Sequence, residues 1–203
     1  MTKRIAIFIS GRGSNMESLL KKSGKENLDA DFIVVSDNER AEGLNIAKKL
    51  NIKTFVLKDC GGGSRLSRED SNKIKNILID ERIELVFLAG FMRIIPKDII
   101  DSFPRMFVNI HPSLLPSFKG KDAQRQAFEY GVKLSGCTVH FVDSGIDSGP
   151  IILQRCIDIS SAENPEDAGR MILEAEHQAY FEALKLLIFK KYTIDGRRVL
   201  FDT

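Results

Sequence analysis

"RIAIFISGRGSN", residues 4–15, runs an apolar stretch straight into two glycines, a serine and an asparagine. The apolar stretch reads as a buried strand. The residues after it, "NMESLLKKS" (15–23), read as a helix with Leu19 and Leu20 on one face. A glycine turn between strand and helix is the setting a phosphate site needs. Glycine lets the backbone approach a ligand and take positive φ, and the unpaired N–H groups at a helix start point at an anion. Two stricter patterns are missing: a dinucleotide fingerprint needs a third glycine where Met16 stands, and a P-loop needs Gly-Lys-Ser/Thr. Two readings stay open on these residues. Gly13, Ser14 and Asn15 hold a single phosphate monoester, or the segment is a tight turn in which Ser14 or Asn15 caps the helix.

Outward from that turn, short apolar runs alternate with helical patterns. "DADFIVVSD" (29–37), "KTFVLK" (53–58), "IELVFLAG" (83–90) and "RMFVNI" (105–110) read as further strands. "NERAEGLNIAKKLN" (38–51) and "SREDSNKIKNILIDER" (67–82) read as helices, the latter with Ile74, Ile77 and Ile79 among polar residues. Near-continuous apolar strands separated by helices predict a mostly parallel, open twisted sheet with helices on both faces. The texture changes after about residue 110. A proline-punctuated loop (111–123) leads to a short helix (123–131). "KLSGCTVHFVD" (133–143) and "PIILQRCIDI" (150–159) then read as two antiparallel strands joined by "SGIDSG" (144–149). Residues 164–191 read as one long helix, with Pro165 in its first turn and Asp167 at its positive end. The tail (192–201) reads as a hairpin turning at Asp195-Gly196. "CGGGS" (60–64) reads as a flexible loop.

The 203 residues suit one well-buried core, and 43% apolar with 29% charged residues is ordinary for a globular protein. A net charge of +2 with both signs interspersed gives no footprint for nucleic acid. Three cysteines (Cys60, Cys137, Cys156) without a Cys-x-x-Cys suggest neither a disulfide framework nor a zinc site. The opening apolar run is too short for a signal-peptide core, and no stretch reaches the length of a membrane span. The expectation is a cytoplasmic protein with no membrane and no nucleic-acid partner. With only His111, His140 and His177, no metal site is expected.

"FVNIHPSLLPSFKG" (107–120) carries the most chemistry. Residues two apart on a strand point the same way, so Asn109 and His111 project together if the strand runs through His111. Pro112 keeps His111 extended. Both then sit at the carboxyl end of a parallel strand, where open α/β sheets place ligands. Asn109 offers an amide donor to a carbonyl oxygen, and His111 exchanges a proton near neutral pH. Asp147, flanked by Gly145 and Gly149, adds a carboxylate on a loop free to reach the histidine. Each residue alone reads as well as a turn or cap; the three together suit acyl transfer to an amine. No Gly-x-Ser-x-Gly and no cysteine motif offers a nucleophile.

In their order, "IFISGRGSNMESLL" (7–20), "LVFLAGFMRII" (85–95), "VNIHPSLLPSFKG" (108–120) and "GCTVHFVDSGIDSGPIILQ" (136–154) resemble the phosphoribosylglycinamide formyltransferases, within the wider group of folate-dependent formyltransferases. The resemblance runs from about residue 4 to about residue 190. It implies a half-Rossmann N-terminal part with an antiparallel C-terminal extension. It implies a single domain over 1–203, with residues 1–100 as the ribonucleotide phosphate-binding half and 101–203 as the folate-binding and catalytic half. The implied reaction moves the formyl group of 10-formyltetrahydrofolate, a co-substrate, to the amine of glycinamide ribonucleotide in purine synthesis. Asn109, His111 and Asp147 match the family's catalytic trio. Gly13, Ser14 and Asn15 match its phosphate cradle, with Arg68 in "LSRED" (66–70) as the basic partner. Met92, Arg93 and Ile94 match the folate segment, Glu176 matches a ribonucleotide contact, and His140 supports the folate and the reacting centre. The implied partners are these two small molecules, with the protein a monomer or homodimer. Arg12, and the neighbours of Asp147, depart from some relatives without removing a required group.

Three rivals are weighed. A formyltetrahydrofolate deformylase is expected to carry a regulatory domain before the first strand, which here starts at residue 4. A methionyl-tRNA formyltransferase is expected to carry a further C-terminal domain and a grip on tRNA, where this chain stops at residue 203 with a net charge of +2. A non-catalytic folate- or nucleotide-binding relative is expected to have lost a member of the trio.

Overall fold

The computed structural model describes residues 2–57, 63 and 65–202. Of the expected flexible loop 60–64, all but Gly63 lies outside the described residues. The chain forms two compact units, Met1–Val108 and Asn109–Thr203.

The first unit alternates strand and helix: β1 (Lys3–Ile9), α1 (Ser14–Lys25), β2 (Ala30–Ser36), α2 (Glu42–Lys49), β3 (Lys53–Val56), α3 (Arg68–Asp80), β4 (Leu85–Leu88) and α4 (Lys97–Ser102). β1 is an inner strand of its sheet. It pairs in parallel with β2 on one side and β4 on the other, Ile5 lying beside Phe32 and Leu85, and β3 pairs in parallel with β2. Ile5 to Ile9 are without exposed surface, which is why this run carries no polar alternation. The Phe8 ring packs edge-on against Phe91 at 5.3 Å and Phe107 at 6.4 Å. In α3 the buried apolar residues are Ile74, Ile77 and Leu78, while Ile79 is 62% exposed. The helical period explains the split among the isoleucines: positions i, i+3 and i+4 share a face and i+5 does not. α4 is six residues long, too short to leave a periodic signal, and the sequence reading lacks it.

The chain passes into the second unit within β5 (Phe107–His111) and continues as α5 (Ala123–Tyr130), β6 (Leu134–Phe141), β7 (Ile151–Asp158), α6 (Pro165–Phe189), β8 (Tyr192–Asp195) and β9 (Arg198–Phe201). β6 and β7 are antiparallel, with a register shift between Val139 and His140. α6 begins as expected. Pro165 takes its first turn, and the Asn164 side chain caps it by accepting from Asp167 N at 2.8 Å. Its apolar face, including Ile172, Ala179 and Leu184, covers β6 and β7. The tail is a hairpin, but Asp195 pairs with Arg198, so the turn is Gly196-Arg197, one residue later than expected. Gly196 takes the positive φ (57°) that a tight hairpin needs at its first position. The mostly parallel α/β organisation followed by antiparallel strands is as the sequence predicts.

Candidate active site

In the first unit, Gly13 takes φ 74°, ψ 34°, and the helix starts at the next residue. The Glu17 N–H is the first to bond back, to Gly13 O at 2.8 Å. The N–H groups of Ser14, Asn15 and Met16 therefore have no helical acceptor. Neither Ser14 nor Asn15 caps the helix, because no side chain accepts a capping bond there. The turn borders a cavity of about 290 Å³ lined by residues 10–15 with Ala89, Gly90 and Met92. A second helix braces it, a feature the sequence reading missed. Gly43 N donates to Gly11 O at 3.1 Å, and a Cβ on Gly13 would stand 3.2 Å from Gly43 Cα. Arg68 is exposed at the first position of α3, after the Ser67 cap.

The segment after β4 is tied to the same turn. Met92 N donates to Ser10 Oγ at 2.8 Å, and Asn38 Nδ2 donates to Ser10 O at 3.1 Å. Met92 and Ile94 are 70% and 56% exposed, so neither is a core residue. The Arg93 side chain has an internal partner: its Nε donates to Asp37 Oδ2 at 2.6 Å, with the two side chains 15% and 4% exposed. A guanidinium this close to buried strands requires such a countercharge.

In the second unit, β5 runs through His111, so Asn109 and His111 share one side of it as expected. The proline loop beyond is pinned by Thr138, whose Oγ1 donates to Ser113 O (2.7 Å) and accepts from Leu115 N (3.0 Å) and Gln154 Nε2 (2.9 Å). His111 Nε2 lies 2.8 Å from Phe118 O. A carbonyl only accepts, so Nε2 carries a hydrogen. The opposite nitrogen, Nδ1, stands 3.4 Å from Asp147 Oδ2. That carboxylate oxygen also accepts from Gly120 N at 2.9 Å. The glycine-flanked loop thus brings Asp147 onto His111.

His140 completes the cluster. The register shift turns it at the end of β6, and the ring is buried. Its Nδ1 lies 2.8 Å from Phe141 O and so carries the hydrogen. Burial holds its pKa below the ordinary 6.5, against the opposing pull of the Phe141 carbonyl and Asp147, and the ring is neutral near pH 7. Its Nε2 is then a bare acceptor, and Asn109 Nδ2 donates to it at 3.4 Å. One N–H of Asn109 is fixed in this way, and the other has no partner among the described residues. The Asp147 Oδ1 lies 3.8 Å from the same Nε2. Phe118 and Gly120, which hold His111 and Asp147 through backbone groups, left no signal in the sequence.

Glu176 is buried in α6. Burial first, and its negative charge second, push the Cys137 thiol up to about 12 and raise the Tyr180 hydroxyl well above its ordinary value. Among the described residues no group of three or more His, Cys, Asp or Glu is placed to hold a metal ion, and no helix is long and apolar enough to cross a membrane.

The "Formyl transferase" family model matches residues 3–184. Phosphoribosylglycinamide formyltransferase of Bacillus subtilis is 37% identical over 187 residues, covering 92% of this chain and 95% of that protein. The crystal structure of glycinamide ribonucleotide transformylase 1 from Symbiobacterium toebii superposes with a TM-score of 0.91 at 38% identity, covering all of this chain and 95% of that one. The trifunctional purine biosynthetic protein adenosine-3 of Gallus gallus is 38% identical over 185 residues, 91% of this chain, but the match spans only 18% of that longer protein.

Proposed function

The chain belongs to the formyl transferase family, and on that premise we propose that it moves the formyl group of 10-formyltetrahydrofolate to the amine of 5′-phosphoribosylglycinamide. The products are formylglycinamide ribonucleotide and tetrahydrofolate, a step of purine synthesis. The observation that carries the reading is the cluster at the end of β5. A neutral His140 fixes one Asn109 N–H and leaves the other for a ligand, beside a His111 held by Asp147.

In this proposal the amine nitrogen attacks the formyl carbon and the carbonyl electrons move onto oxygen. The free N–H of Asn109 donates to that oxyanion. Removing one such donor typically costs about 3 kcal/mol, or roughly 100- to 1000-fold in rate. Protonated His111 has both N–H groups engaged, by Phe118 O and Asp147, so it contributes charge to the oxyanion rather than a hydrogen bond. Collapse of the intermediate breaks the bond to the folate nitrogen. The amine's proton passes to that nitrogen, with Asp147 the nearby base.

For the substrates, Gly13, Ser14 and Asn15 take the phosphate with Arg68 as its cation, and Glu176 meets the ribonucleotide. Met92, Arg93, Ile94 and His140 serve the folate. Two features support these assignments: the left-handed Gly13 that opens α1 against the cavity lined by residues 10–15, and the exposed Met92 on that cavity, with Ile94 exposed two residues on. Because the Arg93 guanidinium is engaged with Asp37, its part is played by the backbone of the segment. We place the protein in the cytoplasm.

The test is a spectrophotometric assay with a 10-formyl folate, with and without the ribonucleotide. Turnover only with the ribonucleotide is expected. Turnover without it indicates a hydrolase, and no turnover in either case refutes the transfer reading.

A further inference from the structure

The loop that carries Asp147, residues 142–150, is closed by a ring of side-chain contacts. A single carboxylate oxygen, Asp143 Oδ1, accepts from Gly145 N at 3.1 Å and from Ser148 Oγ at 2.7 Å. The ring spans Asp143 to Ser148 and encloses Asp147. Asp147 holds a left-handed backbone, φ 46°, a conformation that few residues other than glycine adopt, Asp being one of those that tolerate it. Such a conformation persists only where its surroundings impose it. Gly145 contributes by its missing side chain: a Cβ there would stand 2.1 Å from Ser148 Oγ, in the way of the hydroxyl that reaches Asp143. The side chain at the tip, Ile146, is 70% exposed and adds little packing of its own. Without the ring the loop keeps few reasons to present Asp147 toward His111 and Gly120.

We propose that Ser148 and Asp143 are positioning residues. Their hydrogen bond locks the left-handed turn that places the Asp147 carboxylate 3.4 Å from His111 Nδ1 and 2.9 Å from Gly120 N. The catalytic meaning of that placement rests on the transfer reading above; the placement itself does not. A ring that merely ties off a surface hairpin predicts a loss of stability and nothing else.

The experiment uses the full chain with Ser148→Ala, Ser148→Thr and Asp143→Ala, and two readouts. One is steady-state formyl transfer. The other is the exchange rate of the Gly120 amide hydrogen, which reports directly on the Asp147 contact without any turnover. Ser148→Ala and Asp143→Ala are expected to lower kcat about tenfold, with both KM values within about twofold, as for loss of a hydrogen bond to a charged group. Gly120 exchange is expected to rise about tenfold in both, while Ser148→Thr, which keeps the hydroxyl, stays within about twofold on both readouts. Unchanged Gly120 exchange in Ser148→Ala overturns the proposal, whatever happens to kcat. Faster exchange with unchanged kcat overturns its catalytic half. A wild-type protein without transfer activity refutes the transfer reading instead, and Gly120 exchange then decides the positioning alone.

Discussion

Replacing Gly149 by alanine adds one methyl group where the structure has no room. Its Cβ would stand 1.8 Å from Phe141 O and 2.8 Å from the carbonyl carbon. Opening that contact to an ordinary 3.4 Å requires the end of β6 and the start of β7 to part by about 1.6 Å. Phe141 O is the acceptor that fixes the ring of His140, and Gly149 stands two residues after Asp147. The displacement therefore falls on both supports of the cluster. Misplacement of a reacting group by about 1 Å costs on the order of 100-fold in rate, so kcat is expected to fall about that much. Gly136→Ala supplies the control. Its Cβ would meet Arg155 O at 1.9 Å on the same pair of strands, at the Gly136–Cys156 register, four residues before His140. Overpacking costs about 1–3 kcal/mol, and for a chain of this size each kcal/mol lowers Tm by about 2–4 °C. Both variants are expected to lose about 2–12 °C by that reckoning, while Gly136→Ala keeps kcat within about threefold. Thermal unfolding with single-substrate-saturated kinetics reads both quantities. Equal kcat in the two variants refutes the argument that this backbone approach sets the geometry of the site.

Asp37→Asn strips the Arg93 guanidinium of its buried countercharge, and breaking such a pair from one side costs about 3–5 kcal/mol. Urea unfolding of the variant checks this, and Asp37→Leu with Arg93→Met is expected to recover much of the loss. The depressed pKa of His140 has a pH signature. Unfolding returns the ring to its ordinary 6.5, so the unfolded chain gains the proton first as pH falls. The stability tied to the neutral ring is thus fully present above about pH 6.5 and is lost as pH falls below it. Tm measured at about pH 7.5 and about pH 5.5 is expected to fall less in His140→Gln than in the wild type, and an identical fall in both contradicts this assignment.

What the sequence made legible was local. Asn109 and His111 could be paired because the period of a strand is two, and Pro112 keeps the second of them extended. The N-terminal turn could be read because a strand, two glycines and a helix follow one another without interruption. Arg93 announced that it needs a partner, since a charge beside a buried strand always does, but nothing nearby in sequence identifies Asp37, 56 residues earlier. Only the parallel pairing of β1 with both β2 and β4 brings the ends of those strands to the same edge.

The illegible part of the cluster is made of backbone, and this has a physical reason. His111 is held by the carbonyl of Phe118, Asp147 by the amide of Gly120, and His140 by the carbonyl of Phe141. Every residue carries such groups, so no residue type marks the ones that are used. Positive φ at Phe118 and Asp147 aims two of these elements; Phe does not favour that conformation, and Asp, which tolerates it, occurs too often elsewhere to mark it. The turning of His140 toward Asn109 depends on the register shift after Val139, yet β6 is buried at nearly every position and shows no alternation for a shift to interrupt. The neutral state of His140, which leaves Nε2 free to accept from Asn109, comes from that burial. The sequence therefore names the groups able to do the chemistry, while the backbone decides which hydrogen each of them has left to give.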